Sequence, residues 1–525
     1  MKKVNILKNL IWAGGLILSV ACSSGVEEIK VLRETRQPVY PAPDAADHLS
    51  GEQLAYAYCQ QCHQFADPQL LSTEVWTKGV LPKMGHRLGI WQHRSEAIRG
   101  LDMMEEYLVN QAEVYPDSPL ISRENWEKIV AYYAANANQE TSRQSFTEKI
   151  SPLFEVVANP KQNLFPLLAM VDYDEQEQRL FLGEREGAFS MYGNGSAAIR
   201  QHQTNGPAIA RLSNIDGSDY ILSMGIMDPS NQAKGVLYKQ YADSLQEVAV
   251  QLRRPVHMLP HDLNEDGEQD IILSEFGNDL GELSVLICKG GRPVDKQTLM
   301  KEAGIRKTIA YDWNGDEAED LLVLITQGDE RITLLQKEGP GTYREKTLLR
   351  FPPVYGSSYF ELADFNRDGL QDILYVNGDN ADYSYELKPY HGIRIFLNQG
   401  NGELEESYFY PLFGATEASA HDFDQDGDLD IAGIAYFADF EGNPSSGAVY
   451  LENRSAEKLA FDAWQLPGAE KGRWLRMEVA DTDQDGDLDL LLGSNTIVGT
   501  PVPDSLKMYW EAEGQSLLWL ENQLK

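Results

Sequence analysis

A nine-residue acidic pattern that returns five times in the C-terminal two thirds of the chain constrains its fold more than any other feature. It reads Asp262-Leu-Asn264-Glu-Asp266-Gly267-Glu-Gln-Asp270 and recurs as Asp312, Asn314, Asp316 and Asp320, then as Asp364, Asn366, Asp368 and Asp372. It returns as Asp422, Asp424, Asp426 and Asp430, and finally as Asp481, Asp483, Asp485 and Asp489. Oxygen-bearing side chains at positions 1, 3, 5 and 9, with a backbone carbonyl at 7, can wrap a hard cation, and glycine at 6 permits a sharp turn. The pattern predicts calcium at all five loops, with these twenty residues as ligands. Asp/Asn/Gly turns without metal are the alternative. The second loop departs slightly, with Gly315 at position 4 and Glu317 at 6, so the pattern does not define its turn.

An apolar run follows each ninth aspartate, as in Asp270-Ile-Ile-Leu and Asp489-Leu-Leu-Leu, so each loop leads into a strand rather than an EF-hand helix. The first aspartates are separated by 50, 52, 58 and 59 residues, the length of a propeller blade. Degenerate copies at Asp172-Tyr173-Asp174 and Asn214-Ile215-Asp216-Gly217 raise the count to seven. Residues 150–525 therefore resemble the FG-GAP/VCBS repeat family, whose seven-bladed β-propellers include the head of integrin α chains. That resemblance implies an all-β propeller with calcium-binding loops.

Residues five before each first aspartate are His257, Lys307, Tyr359, Glu417 and Arg476; three before are Leu259, Ile309, Glu361, Ser419 and Glu478. Alternation along a strand puts these two sets on one face, while the intervening positions are nearly all apolar. The expectation is that these strands are innermost and that the five polar residues ring the central channel as a ligand site. Ordinary packing between blades is the alternative.

Before the propeller, Cys59-Gln-Gln-Cys62-His63 places two thiols three residues apart, directly followed by an imidazole. This pattern can hold haem c through two thioethers, with His63 as proximal iron ligand. A thioredoxin-like pair or half a zinc site are the alternatives, but there is no second Cys-x-x-Cys and no βαβ pattern around it. Ser50 with Gln53 predicts a capping box opening the attachment helix. Further helices are expected at 73–78, 95–112 and 123–135, the last with Trp126, Ile129, Val130 and Tyr133 on one core face.

Residues 48–142 are similar to a small class I-like cytochrome c domain. The second axial ligand is expected at Met84, read as lying in a loop, with His86, His93, Met103 and Met104 as competitors. Met103 and Met104 are expected to pack in the core, and both histidines to be solvated. Cys288, in an apolar strand, reads as a buried inert thiol.

At the N-terminus, Lys2, Lys3 and Lys8 precede an apolar run from Ile11 to Ala21, too short to span a membrane and consistent with a secretory signal over 1–21. The small residues before Cys22 resemble a bacterial lipoprotein signal, which implies acylation of Cys22 and a lipid-anchored location in the cell envelope, at the outer membrane. Residues 22–47, with Pro38, Pro41 and Pro43, are expected to be a flexible tether.

The formal net charge of -36 excludes nucleic acid as a partner class. The chain is thus expected to be multidomain, a small all-α haem domain followed by a seven-bladed propeller. Its expected work is electron transfer with a redox partner protein, the propeller binding a protein or glycan. The competing readings are a propeller dehydrogenase with a quinone-type cofactor feeding its own cytochrome, and an adhesive surface protein. No dinucleotide-binding Gly-rich loop, Gly-x-Ser-x-Gly elbow or His-Glu-x-x-His is present.

Overall fold

The strands that follow the acidic loops, Asp270–Glu275, Asp320–Ile325, Asp372–Asn377, Asp430–Ala435 and Asp489–Ser494, are buried at every position. A strand covered on both faces is central in its sheet, and its continuous apolar run follows from that. The computed structural model describes residues 28–33, 38–41, 46–139, 144–157, 166–193, 197–215, 217–241, 243–379, 386–497 and 501–524. Residues 1–21, expected to be a signal, together with Cys22 and Asp216, lie outside them.

Seven antiparallel sheets form the blades of a β-propeller, each in simple up-and-down order. Their first strands are Leu168–Asp174, Ala208–Ile215, Pro255–His261, Ile305–Tyr311, Ser357–Ala363, Ala415–His421 and Trp474–Ala480, and each touches the next around a closed ring. The seventh blade takes its outermost strand from the other end of the region: Phe154–Val156 pairs with Leu517–Asn522. Ring closure thus joins residues far apart in sequence and leaves no free first or last blade.

Seven apolar clusters fill the wedges between neighbouring blades. Cys288 is buried in one of them, as expected. An eighth cluster belongs to a helical layer. Its helices are α1 (Gly51–Cys59), α2 (Leu81–Arg87), α3 (Met103–Gln111) and α4 (Arg123–Asn136), with a π-helical turn at Val75–Val80. The Ser50/Gln53 capping box opens α1 as expected, and Trp126, Ile129 and Tyr133 of α4 are buried against Leu54, Ala55 and Tyr58 of α1.

The helix expected over 95–112 is divided. Gly100 adopts φ +94°, and Asp102 caps a new helix by accepting from the Met104 and Glu105 amides. Met103 and Met104 consequently face outward, 89% and 58% exposed, and do not pack in the core. The expected tether is also partly docked. Lys30–Leu32 adds a parallel strand to Thr342–Arg344 at the edge of the fourth blade, Ile29 is buried beneath it, and Arg33 pairs with Glu345 at 2.9 Å.

The helical layer sits on the end of the propeller formed by loops joining second to third strands. The buried Glu105 carboxylate of α3 accepts from Ser230 Oγ (2.8 Å) and the Asn231 amide (2.7 Å). Arg87 pairs with Asp279 at 2.5 Å, and the Ser72 amide donates to Glu386 at 3.0 Å. Because strands alternate in direction, the acidic loops emerge at the opposite end.

Candidate functional site

Three groups of residues carry chemistry. In the helical layer, Cys59 ends α1, Cys62 lies one turn on, and neither is in a disulfide. Burial pushes the Cys59 thiol up to about 12, with the nearby Cys62 adding to it, so it stays protonated. Cys62 is exposed, its Sγ 3.6 Å from Tyr40 Oη.

His63 is held neutral by burial. Its Nδ1 lies 2.8 Å from the Gln64 carbonyl, which can only accept, so the proton sits on Nδ1 and Nε2 keeps its lone pair. Two reduced thiols at helical spacing beside an imidazole with Nε2 free for iron fit haem c. The charges of Asp329 and Arg350, on the fourth blade, reach His63, so this corner of the helical layer faces the propeller.

Met84 does not lie in a loop; it is in α2, half-buried against the same apolar cluster as Cys59 and Phe65. His86 is half-buried and held below its ordinary value by that burial, rather than solvated, whereas His93 is exposed.

In the acidic loops one backbone path recurs. Position 4 is left-handed in all five (Glu265, Gly315, Arg367, Gln425 and Gln484, φ +54° to +74°), and position 6 likewise (Gly267, Glu317, Gly369, Gly427 and Gly486, φ +71° to +97°). The second loop therefore keeps the common turn, with Glu317 accepting the left-handed conformation that glycine supplies elsewhere.

Carboxylate oxygens of Asp422, Asp424 and Asp426 lie within 4.8 Å of one another, as do those of Asp481, Asp483 and Asp485. Asp422 Oδ1 and Asp481 Oδ1 are buried with no hydrogen-bond partner. Burial and mutual repulsion raise Asp424 and Asp483. Crowded oxygens with open lone pairs fit a hard cation.

The ninth aspartates anchor backbone amides of their own blades. Asp270, Asp320, Asp372, Asp430 and Asp489 are 0% exposed. Asp270 accepts from the Leu263 and Cys288 amides (3.2 and 2.9 Å), and Asp372 from Phe365 and Asn398 (2.9 and 2.8 Å). Asp489 takes Thr482 and Asn522 (3.0 and 2.9 Å), Asp320 takes Lys337 (2.7 Å), and Asp430 takes Asn453 and the Tyr450 hydroxyl (both 2.7 Å). They staple the loop to the third strand. The signal for this was the fully apolar strand each one opens.

Blades one and two hold no nine-residue loop. Asp174 pairs directly with Arg179, leaving a four-residue turn, and Ile215 pairs with Ser218. Asp172 and Asp174 instead bind the buried Arg211 (2.7 and 3.1 Å), with Asp219 on its third nitrogen at 3.1 Å. The short turns leave a cavity of about 760 Å³ lined by Asp172, Asp174, Arg211, Asp219 and Glu478.

The five polar residues expected to line the channel do come together, at the end beneath the helical layer. Lys307 Nζ lies 3.7 Å from the Tyr359 ring centroid, and Tyr359 Oη donates to Glu361 at 3.4 Å. Glu361 also accepts from Ser419 Oγ and the Ala420 amide (both 3.0 Å), Glu417 accepts from the Met477 amide (3.2 Å), and Arg476 donates to the Ile209 carbonyl (3.3 Å).

Burial, then the charges of Lys307 and Arg476, push His257 down to about 3. Burial brings Lys307 down to about 8 and lifts Glu478 to about 8, where Asp172 and Glu417 add to it. Sequence alternation missed Arg306, which lies 4.0 Å from Asp379 and feels Arg476 and Glu417. A β-bulge after the first residue of every innermost strand interrupts the two-residue period there, and nothing in the residue types announces it.

The FG-GAP-like repeat family matches residues 312–375 and 422–492, which contain four of the five acidic loops. No curated protein matches the chain. Among solved structures, the N-terminal domain of Nup159 aligns at 10% identity over 72% of this chain and 97% of that one, with a TM-score of 0.40. The Neurospora crassa Pan2 WD40 domain aligns at 10% identity over 68% and 91%, TM-score 0.40. BBS1N in complex with ARL6DN aligns at 8% identity over 70% and 96%, TM-score 0.42.

Proposed function

We propose that this FG-GAP-repeat propeller is the binding body of an exported, lipid-anchored monohaem c-type cytochrome that transfers electrons to or from a partner protein. The observation that supports this reading is the end of α1, where Cys59, Cys62 and a neutral His63 with a free Nε2 stand together. Cys59 and Cys62 would hold the porphyrin covalently, and His63, oriented by the Gln64 carbonyl, would ligate its iron. When bound, haem supplies one-electron transfer. Met84, packed on the same core as Cys59, would be the further residue to hold the iron.

In this reading calcium occupies the acidic loops, held by the residues at positions 1, 3, 5 and 9, and stiffens the propeller. Chelation should then lower the melting temperature of the propeller and leave a haem spectrum unchanged.

The test is covalent haem in native material. Protein exported from a host with the attachment machinery should keep its red colour after acidified-acetone extraction and show the mass of one added haem. Colourless, unmodified polypeptide would end this reading. Substrate-driven reduction of that haem by a sugar or alcohol would favour the dehydrogenase alternative, for which the polar channel ring beneath the helical layer is the supporting feature.

A further inference from the structure

Cations in the interior of this protein are usually matched. Arg211 has three carboxylates, Arg331 has Glu302, Asp329 and Glu345, and Lys296 has Glu275 and Glu282. Lys307 and Arg476 are not, and the buried Lys239, which rests on a carbonyl and a tyrosine ring, shares this with them. Among the described residues neither Lys307 nor Arg476 forms a salt bridge: the Lys307 ammonium rests on the face of Tyr359, and Arg476 uses one donor on the Ile209 carbonyl.

The carboxylates nearest to them are committed elsewhere. Glu361 is held by Tyr359, Ser419 and the Ala420 amide, and Glu417 by the Met477 amide. The charges of both cations reach His257, whose Nδ1 is buried with no hydrogen-bond partner. An unpaired charge withdrawn from water is costly, and two of one sign side by side cost more, unless an anion completes them.

Each of these cations adds to the burial that keeps His257 neutral; burial lowers Lys307, the charges of Glu361 and Glu417 oppose that, and Arg476 adds to it. A guanidinium offering a planar fork, an ammonium and an imidazole N–H make a donor set complementary to an oxyanion, beside the carboxylates of Glu361 and Glu417.

We propose that the channel end beneath the helical layer binds a small oxyanion, a carboxylate or a phosphate group, between Lys307 and Arg476 with His257 as the third donor. This deepens the ligand-binding part of the proposed function and is independent of haem. The innermost strands of the third, fourth and seventh blades each contribute one group, so the site exists only in the closed ring.

The test is calorimetric titration of the full chain with acetate, succinate, inorganic phosphate and sulfate at constant ionic strength, together with thermal unfolding in the same salts against chloride. One saturable site and a raised melting temperature are expected. Lys307→Met and Arg476→Met should each weaken binding by roughly tenfold or more, and Lys307→Arg should retain it. A response to acetate and succinate alone assigns a carboxylate ligand, and one to phosphate and sulfate alone a phosphoryl ligand.

The Cys59→Ala/Cys62→Ala variant should keep the response, which separates this inference from the haem reading. Should a methionine variant fail to fold, the unfolding shift of the wild-type chain decides. No saturable binding and no shift with any of the four anions, or binding unchanged in both methionine variants, would overturn the proposal.

Discussion

Arg367, the fourth residue of one acidic loop, reaches into the next, where its guanidinium bonds the Gly427 carbonyl and pairs with Asp428. Gln425 repeats the reach one blade on, donating to the Gly486 carbonyl at 2.9 Å. The third, fourth and fifth loops are therefore linked by the side chain at position 4. In the second loop that position is Gly315, which has no side chain to extend.

The link places a fixed positive charge on the loop that carries Asp422, Asp424 and Asp426. Replacing it should strengthen cation binding there. We expect Arg367→Gln to raise calcium affinity at that loop by about threefold to tenfold, read by terbium luminescence or calorimetry at low salt. An affinity equal to or below that of the parent chain would contradict it.

The ninth aspartates should matter to stability more than the fifth. Asp270→Ala leaves two buried amides without partners and should destabilise the propeller by about 2–4 kcal/mol in chelator. Asp266→Asn, at an exposed position whose side chain accepts only from the Glu268 amide, should change it by about 0.5 kcal/mol or less under the same conditions. Denaturant unfolding of the two variants compares them directly.

Acid should act through His257. Its folded-state value of about 3 lies below the ordinary 6.5, so the native state binds fewer protons than the unfolded chain between those pH values. The contribution is present above pH 6.5 and is lost as pH falls toward 3, with Lys307 and Arg476 as the facing charges. His257→Gln should retain about 2 kcal/mol that the parent loses between pH 7 and pH 5. Parallel pH dependences in the two proteins would rule this out.

Glu105 should couple the helical layer to the propeller. Its carboxylate is buried and accepts from Ser230 and Asn231. Glu105→Ala leaves those donors unpaired, at about 1–3 kcal/mol, and should speed hydrogen exchange in α3 while leaving the blades protected.

Much of this was legible in local pattern. The blade period, the strand after each loop, the capping box at Ser50 and the identity of the innermost strands could be read from residue types alone, because each depends on neighbours within one turn or one strand. The count of seven was also legible, although the copies at Asp172 and Asn214 are not loops: Asp172 and Asp174 serve Arg211 on the adjacent blade.

What escaped was whatever depends on a partner distant in sequence. That a ninth aspartate also holds the amide of the third strand, as Asp270 holds that of Cys288, shows only in the tertiary pairing. Arg306 looks inaccessible to the channel until the bulge turns it. Met103 and Met104 look like core residues until Asp102 restarts the helix and rotates them outward.

Short-range chemistry, then, lay in the order of the residues: acidic turns, buried strands, two thiols beside an imidazole. Which groups face one another came from closing the ring, since Arg476 meets Ile209 across the seam and Phe154 pairs with Asn522 from the far end of the chain. Seven inner strands converge on one axis only when that last pairing forms. Charges separated by hundreds of residues then share a channel no local pattern describes.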